Sequence, residues 1–465
     1  MAPHASSSSS SSSNDTPPSS NDTPPSSSSS STTTKPTDPY HASSTTTAIT
    51  TENTYAAHNY SPLPIVFARA SGCHVWDPEG RHYLDFLSAY SAVNQGHCHP
   101  ALVKALTDQA ARLTLSSRAF HNDVFPQWAK KVRDVFGYEM VLPMNTGAEA
   151  VETAIKLARK WAYKVKGVEQ GKARVWSVDG NFHGRTMVAV SLSVDPESRD
   201  NHGPYVPLIG ARHPSTGKAI RYGSVEDVEE ILGEFGKETA AFIIEPIQGE
   251  AGVVVPEDGY LKRVQELCRE YNVLLICDEI QTGIARTGRM LCSEWDGIKP
   301  DVVTLGKAIS GGMYPVSCVL SSKEIMGVIE PGTHGSTYGG NPLGCAVSIK
   351  ALELVEEEGL VDKAQKLGEI FRSEIRGFNS KIVELVRGRG LLNAVVIDES
   401  ETNGRTAWDL CMLLKEKGVL AKPTHGNIIR FAPPLVITED ELRSALKTIK
   451  EALEELPNAT KHEAH

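Results

Sequence analysis

Seven short apolar runs punctuate the middle of the chain: Met140–Met144, Val175–Val178, Val188–Leu192, Ala241–Ile244, Val273–Cys277, Val302–Leu305 and Val316–Leu320. Between several of them lie stripes of period 3.6, such as Ala148, Val151, Ile155, Ala158, Ala162 and Val165, or Leu261, Val264, Cys268 and Tyr271. Wholly apolar strands alternating with amphipathic helices predict an α/β unit around a mostly parallel sheet, covered on both faces. Segments 63–70 and 73–85 read as short strands around a turn at Asp77-Pro-Glu-Gly80. A long helical pattern over 345–376 leads away from the sheet. Beyond it, strands are expected at Ile382–Asp398 and Ile428–Val436, beside helices at 406–418 and 439–455. The last helix opens on Thr438-x-x-Glu441, a capping box. This C-terminal part reads as a smaller α+β unit.

The first 50 residues are different material. They are mostly Ser, Thr and Pro, with NDTPPSS repeated at 14–20 and 21–27. Such a stretch buries too little apolar area to offset its ordering entropy, so disorder is expected. Lys35 is its only Lys or Arg, beside Asp15, Asp22 and Asp38, which is unlike an Arg-rich, acid-poor transit peptide. It contains no apolar h-region, and a cytoplasmic location is expected. The predicted organisation is therefore a tail over 1–50, an N-terminal segment over 51–90, a large unit over 91–345 and a smaller one over 346–465. The net charge of −10 argues against nucleic-acid binding, and no apolar run is long enough to span a bilayer. The eight cysteines are scattered without a CxxC pair, as expected of reduced thiols.

Three places carry chemistry. Asn145-Thr146-Gly147-Ala148-Glu149-Ala150 joins a strand to the striped helix. A helix start with small residues presents bare N–H groups to a phosphate, although an ordinary capped helix start looks the same. Neither GxxxxGK nor GxGxxG is present. Asp278 and Glu279 end one apolar strand, and Lys307 follows another. Ligands of open α/β sheets bind beyond the carboxyl ends of strands. A lysine desolvated there loses its proton and becomes a nucleophile toward carbonyls. A carboxylate there holds a pyridinium N–H and keeps the ring an electron sink. Either residue alone also fits a surface charge on a loop; the order cradle, Asp, Lys favours the chemical reading.

Asp278-Glu-Ile-Gln281-Thr-Gly283 followed by Thr304-Leu-Gly-Lys307-Ala-Ile-Ser-Gly-Gly312 resembles the signature of the class III pyridoxal-phosphate (PLP) aminotransferases. Four further stretches extend the resemblance over residues 55–455: Ser91-Ala-Val-Asn-Gln-Gly-His-Cys-His-Pro100, Glu245-Pro-Ile-Gln-Gly-Glu-Ala-Gly252, His334-Gly-Ser-Thr-Tyr-Gly-Gly-Asn-Pro342, and Lys422-Pro-Thr-His425 with Ile429-Arg-Phe-Ala-Pro-Pro434. They are most similar to the ornithine-specific branch. The resemblance implies a type I PLP-dependent transferase fold and a homodimer, or a higher homo-oligomer, with shared active sites. It implies no metal. Lys307 would bond the cofactor and shuttle the proton, and Asp278 would pair the pyridine nitrogen. Gln281 would sit near the 3-oxygen, and Phe182, in Asn181-Phe-His-Gly-Arg185, would cover the ring. Gly147 and Ala148 would hold the phosphate, joined by Thr337 from the neighbouring subunit.

The same resemblance implies ping-pong transfer, through pyridoxamine phosphate, of the δ-amino group of ornithine to 2-oxoglutarate. Arg185 would grip the ornithine α-carboxylate, Tyr60 would accept its free α-ammonium, and Tyr90 would filter size. Arg430 would take the α-carboxylate of 2-oxoglutarate, and Glu250 would pair with Arg430 and mask it when ornithine binds. The tyrosines also fit packing roles, and Arg185 also fits a structural ion pair. Acetylornithine or 4-aminobutyrate as donor, and a non-catalytic scaffold, are the alternatives. The intact Lys307 and Asp278 speak against a scaffold, and the Glu250–Arg430 pair speaks against an aminomutase.

Overall fold

The apolar runs fold into three sheets in the computed structural model, which describes residues 41–462. In chain order the strands are β1 (Arg69–Ser71), β2 (His74–Trp76), β3 (His82–Asp85), β4 (Met140–Met144), β5 (Arg174–Trp176), β6 (Ile209–Gly210), β7 (Thr239–Ile244), β8 (Leu274–Asp278), β9 (Val302–Leu305), β10 (Ser317–Ser321), β11 (Val383–Arg389), β12 (Leu392–Ile397), β13 (Val419–Leu420), β14 (Lys422–Thr424) and β15 (Ile428–Phe431). A seven-stranded sheet has the order β4-β10-β9-β8-β7-β5-β6. Its pairings from β9 to β6 are parallel, and only β10 runs against its neighbours β9 and β4. The expected mostly parallel α/β sheet is therefore present.

Every residue of β7, β8 and β9 is buried, so the sheet must be covered on both faces. The pleat sorts the side chains by twos. Ala241, Ile243, Leu274 and Ile276 pack with helix Gly147–Trp161. Phe242, Ile244, Leu275 and Cys277 pack with helices Val225–Phe235 and Tyr260–Glu270. The C-terminal sheet, β11-β12-β15-β14, is antiparallel throughout. In the third sheet β13 pairs in parallel with β3, tying the N-terminal hairpin to the C-terminal part of the chain.

Some expectations change. Val188–Leu192 is not a strand but part of helix Met187–Leu192. Thr186 caps it through Ala189 N–H, and Asn181 Nδ2 donates to Leu192 O. A five-residue apolar run does not by itself separate a buried strand from a buried helical turn. Residues 63–68 lie outside any strand, and the pattern over 345–376 is two helices, Pro342–Glu357 and Leu360–Gly377, parted by Gly359 at φ 59°. The boundary expected at 345/346 falls inside the first of them. The disorder expected for residues 1–40 lies outside the described residues. Residues 45–50, read as part of that tail, begin helix Thr45–Tyr55, which Ser44 caps. Thr45 anchors it by donating N–H (2.7 Å) and O–H (2.6 Å) bonds to the Glu79 carboxylate. The capping box at Thr438 is formed. All eight cysteines are free, seven of them buried.

Candidate active site

β4, β5, β7, β8 and β9 all point their carboxyl ends to one edge of the large sheet. The loops that follow them build a cavity of about 320 Å³. Of the residues singled out in the sequence, Tyr60, Tyr90, Gly147, Ala148, Phe182, Arg185, Glu250, Asp278, Gln281, Lys307 and Arg430 line it. Thr337 does not; it is exposed on this chain.

Asp278 is buried at the end of β8, with three fixed partners. His183 Nδ1 lies 2.7 Å from Oδ2, while Thr304 Oγ1 (3.0 Å) and Ile280 N–H (3.1 Å) donate to Oδ1. Burial opposes charge on the His183 ring, but the Asp278 carboxylate outweighs it and raises the imidazole above its ordinary range. The bonds fix the Asp278 carboxyl group under the pocket, where it can face a ring nitrogen. Lys307 opens a 3₁₀ turn after β9 at φ 47°, a left-handed conformation unusual for a residue with a side chain. Burial lowers its amine to about 8, against the opposing pull of Asp278 and Glu245. A large part of it is therefore neutral near pH 8 and able to attack a carbonyl.

Thr146 and Glu149 form a reciprocal capping box at the start of helix Gly147–Trp161. It satisfies the Asn145, Thr146 and Glu149 N–H groups but leaves those of Gly147 and Ala148 without a partner among the described residues. A Cβ on Gly147 would come within 3.1 Å of Ile280, so close approach to the helix start depends on glycine here. Bare N–H groups on a helix dipole, a carboxylate for a ring nitrogen and a desolvated lysine match the phosphate, ring nitrogen and aldehyde of pyridoxal phosphate. The donor set fits that group.

The substrate side is cationic. Arg185 is exposed, lies 5.6 Å over the Phe182 ring, and makes no ion pair among the described residues. Arg430 is 6 % exposed, sits 4.9 Å over the Tyr90 ring, and its Nε has no hydrogen-bond partner. Tyr90 belongs to a left-handed turn, Ser88–Ser91, with φ between 47° and 70°. Asp85 holds that turn by accepting from Leu87 and Ser88 N–H, as does Ser88 Oγ donating to Ala432 O. Tyr60 is 72 % exposed at the pocket mouth.

The expected Glu250–Arg430 ion pair is not formed. Glu250 Oε2 instead lies 3.0 Å from His425 Nε2, because the turn after β14 brings the imidazole onto the carboxylate. Burial raises the Glu250 carboxyl, but His425, Arg430 and Arg185 together draw it below its usual range. Arg430 therefore acts on Glu250 through space.

Sequence reasoning gave no role to His183, Glu245 or His425. Glu245 directly follows β7, the same strand-end signal that exposed Asp278. It lines the pocket, accepts from Phe182 N–H at 3.0 Å, and burial pushes it up to about 7. His183 sits beside Phe182 in a stretch already singled out, but nothing local pairs it with Asp278.

A family model described as Aminotransferase class-III matches residues 55–453. The chain is 68 % identical over 411 residues to an ornithine aminotransferase of Emericella nidulans, covering 88 % of this chain and 90 % of that one. Its fold is similar to that of an ornithine aminotransferase from Toxoplasma gondii with PLP partially occupying the active site. The TM-score is 0.85 at 45 % identity, over 90 % of this chain and 95 % of that one. It is also similar to an acetylornithine aminotransferase from Elizabethkingia anophelis, with a TM-score of 0.79 at 47 % identity, over 89 % of this chain and 100 % of the other.

Proposed function

The chain belongs to the class-III aminotransferases, and on that premise we propose that it transfers the δ-amino group of L-ornithine to 2-oxoglutarate, giving glutamate and glutamate 5-semialdehyde, which cyclises to pyrroline-5-carboxylate. One observation carries the choice of substrates: a single pocket holds two arginines, exposed Arg185 and buried Arg430, neither ion-paired among the described residues. Two carboxylate sites suit two substrates whose reacting carbon lies at different distances from the α-carboxylate.

Bound in this pocket, pyridoxal phosphate supplies an electron sink for the charge left when a proton leaves the reacting carbon. Lys307 Nζ would hold the cofactor's carbonyl end and, as a neutral amine, would move that proton. Asp278, backed by His183, holds the ring-nitrogen proton. The Gly147 and Ala148 N–H groups would hold the phosphate, Phe182 the ring face and Gln281 the 3-oxygen. Arg185 grips the ornithine α-carboxylate, Tyr60 accepts its free α-ammonium, and Tyr90 limits the pocket beside it. Arg430 receives 2-oxoglutarate, and Glu250 masks Arg430 when ornithine is bound.

Thr337 completes the phosphate site of a neighbouring subunit, so the working unit is a homodimer or a larger assembly built from it. The exposure of Thr337 and Tyr338 on the single chain supports this, and sedimentation of the holoenzyme tests it. The reading also keeps an N-terminal segment, a large unit and a smaller C-terminal one, with the boundaries at 50/51 and 345/346 displaced by helices Thr45–Tyr55 and Pro342–Glu357. No helix among the described residues is long and apolar enough to cross a membrane. The single basic residue of the tail favours a cytoplasmic enzyme over a mitochondrial one, which cell fractionation decides.

The test of function is a donor panel with 2-oxoglutarate as acceptor: ornithine, N-acetylornithine and 4-aminobutyrate. Ornithine is expected to dominate, because a site built for a cation discriminates against a donor lacking it. Equal turnover of N-acetylornithine would overturn the assignment.

A further inference from the structure

Glu250 feels three cations, His425, Arg430 and Arg185, and touches only the first. His425 Nε2 lies 3.0 Å from its Oε2, while Arg430 makes no ion pair among the described residues. The backbone around Glu250 is fixed separately, since Thr424 Oγ1 donates to Glu250 O at 3.0 Å. The backbone is therefore held independently of whichever partner the carboxylate has. His425 is the first residue of the β14–β15 turn, at φ 45°, and is followed by Gly426 at φ 80°. A side-chain-bearing residue adopts that region at a cost, and such positions cluster where function holds them. Here the conformation delivers the ring to Glu250.

We propose that His425 is a positioning residue that competes with Arg430 for the Glu250 carboxylate and so sets how often Arg430 is open to a dicarboxylate. This rests on the masking role given to Glu250 above. With the imidazolium on Glu250, Arg430 is unmasked and the 2-oxoglutarate and glutamate half-reaction is favoured. When His425 loses its proton the contact weakens from an ion pair to a neutral hydrogen bond. Glu250 then passes to Arg430, and the dicarboxylate must displace it.

The groups facing this switch come from four elements. Glu250 and Asp195 raise the His425 imidazole and Arg430 lowers it, with the bond to Glu250 the largest effect and a net rise above the ordinary range. Glu250 in turn faces His425, Arg430 and Arg185. The exchange thus falls at and above the ordinary imidazole range, near neutral pH. Because the contact is half-exposed, its effect is modest: about three- to fivefold in apparent affinity.

The experiment measures apparent Kd and limiting rate of both half-reactions in the holoenzyme, by rapid mixing and the cofactor's visible absorbance, between pH 6 and pH 9. In the wild type, the ratio of glutamate Kd to ornithine Kd is expected to rise about three- to fivefold across that window. His425→Ala should hold the ratio at its high-pH value throughout. His425→Lys, which stays charged, should hold it at the low-pH value. In all three proteins the limiting rate should move less than Kd. Glu250→Gln should lower the ratio, and in that background His425→Ala should add nothing. If Glu250→Gln leaves the ratio unmoved, the masking role itself fails. If Glu250→Gln lowers the ratio but His425→Ala leaves it pH-dependent, or shifts it equally in the Glu250→Gln background, masking stands and the role of His425 falls.

Discussion

Replacing Gly249 by alanine should damage the enzyme through one neighbour, Gln281. A Cβ built on Gly249 lies 1.4 Å from Gln281 Oε1 and 2.4 Å from its Cδ. Real Cβ contacts stop at 3.0 Å, so Oε1 must withdraw by at least 1.6 Å, the difference between the two distances. A flip of the amide about its own bond does not achieve this, because Cδ must move as well. Gly249 is not in the left-handed region, so alanine is tolerated by the backbone. The Gln281 side chain therefore yields rather than the main chain. An off-rotamer shift costs about 0.5–1.5 kcal/mol in stability. The functional loss is larger, because the amide leaves the place from which it would reach the cofactor's 3-oxygen. A hydrogen bond to a charged acceptor is worth about 1.5–3 kcal/mol, or roughly ten- to 150-fold. Gly249→Ala, Gln281→Ala and the double variant should show the same loss of that size, read as cofactor affinity by visible titration and as kcat/KM. Additive losses in the double variant would refute the argument, since two changes acting through one side chain cannot add.

Three further outcomes are expected. Asp278→Asn leaves buried His183 without its anion and the ring nitrogen without its partner; kcat should fall by about 100-fold or more, the scale of the roughly 3–5 kcal/mol lost when one member of a buried pair is removed, and an unchanged kcat in steady-state assays would speak against the role. Glu245, raised by burial from 4.5 to about 7, binds its proton more tightly folded than unfolded, so its contribution is fully present below 4.5 and is lost as pH rises through 7. At a spacing of about 2.5 pKa units that is about 3 kcal/mol at most; chemical denaturation of the cofactor-free enzyme should show it between pH 4.5 and 7, with the slope gone in Glu245→Gln. Tyr60→Phe should raise the ornithine Kd by roughly tenfold, the scale of one hydrogen bond to a charged group, and spare 2-oxoglutarate; half-reaction titrations showing equal loss for both would assign Tyr60 to packing.

The sequence displays which groups the site contains far better than which group each one touches. Asp278 and Lys307 stand out because a charge at or just beyond the end of a largely apolar strand is a local pattern, and the parallel sheet then carries every such end to one edge. Glu245 carries that pattern too, directly after β7, but its neighbours in sequence give no sign of what it serves. The helix start at Gly147 is similarly local, its capping box lying within four residues.

What stayed hidden depends on approach between distant segments. Glu250 meets His425 across 175 residues of chain, and His183 meets Asp278 across 95. The Arg430 expected to neutralise Glu250 lies only five residues from the histidine that touches it. Composition and order are the same whichever of the two wins. A two-stranded turn with its first residue at φ 45° decides it in this structure. The Ser88–Ser91 turn argues the same way. Four consecutive side-chain-bearing residues in a left-handed conformation run against local preference. They hold because Asp85, just upstream, accepts from the turn's N–H groups and Ala432, from a distant segment, accepts from Ser88, which sets Tyr90 against Arg430. Local signals thus locate the chemistry, while long-range contacts that override local preference tune the charge it works in.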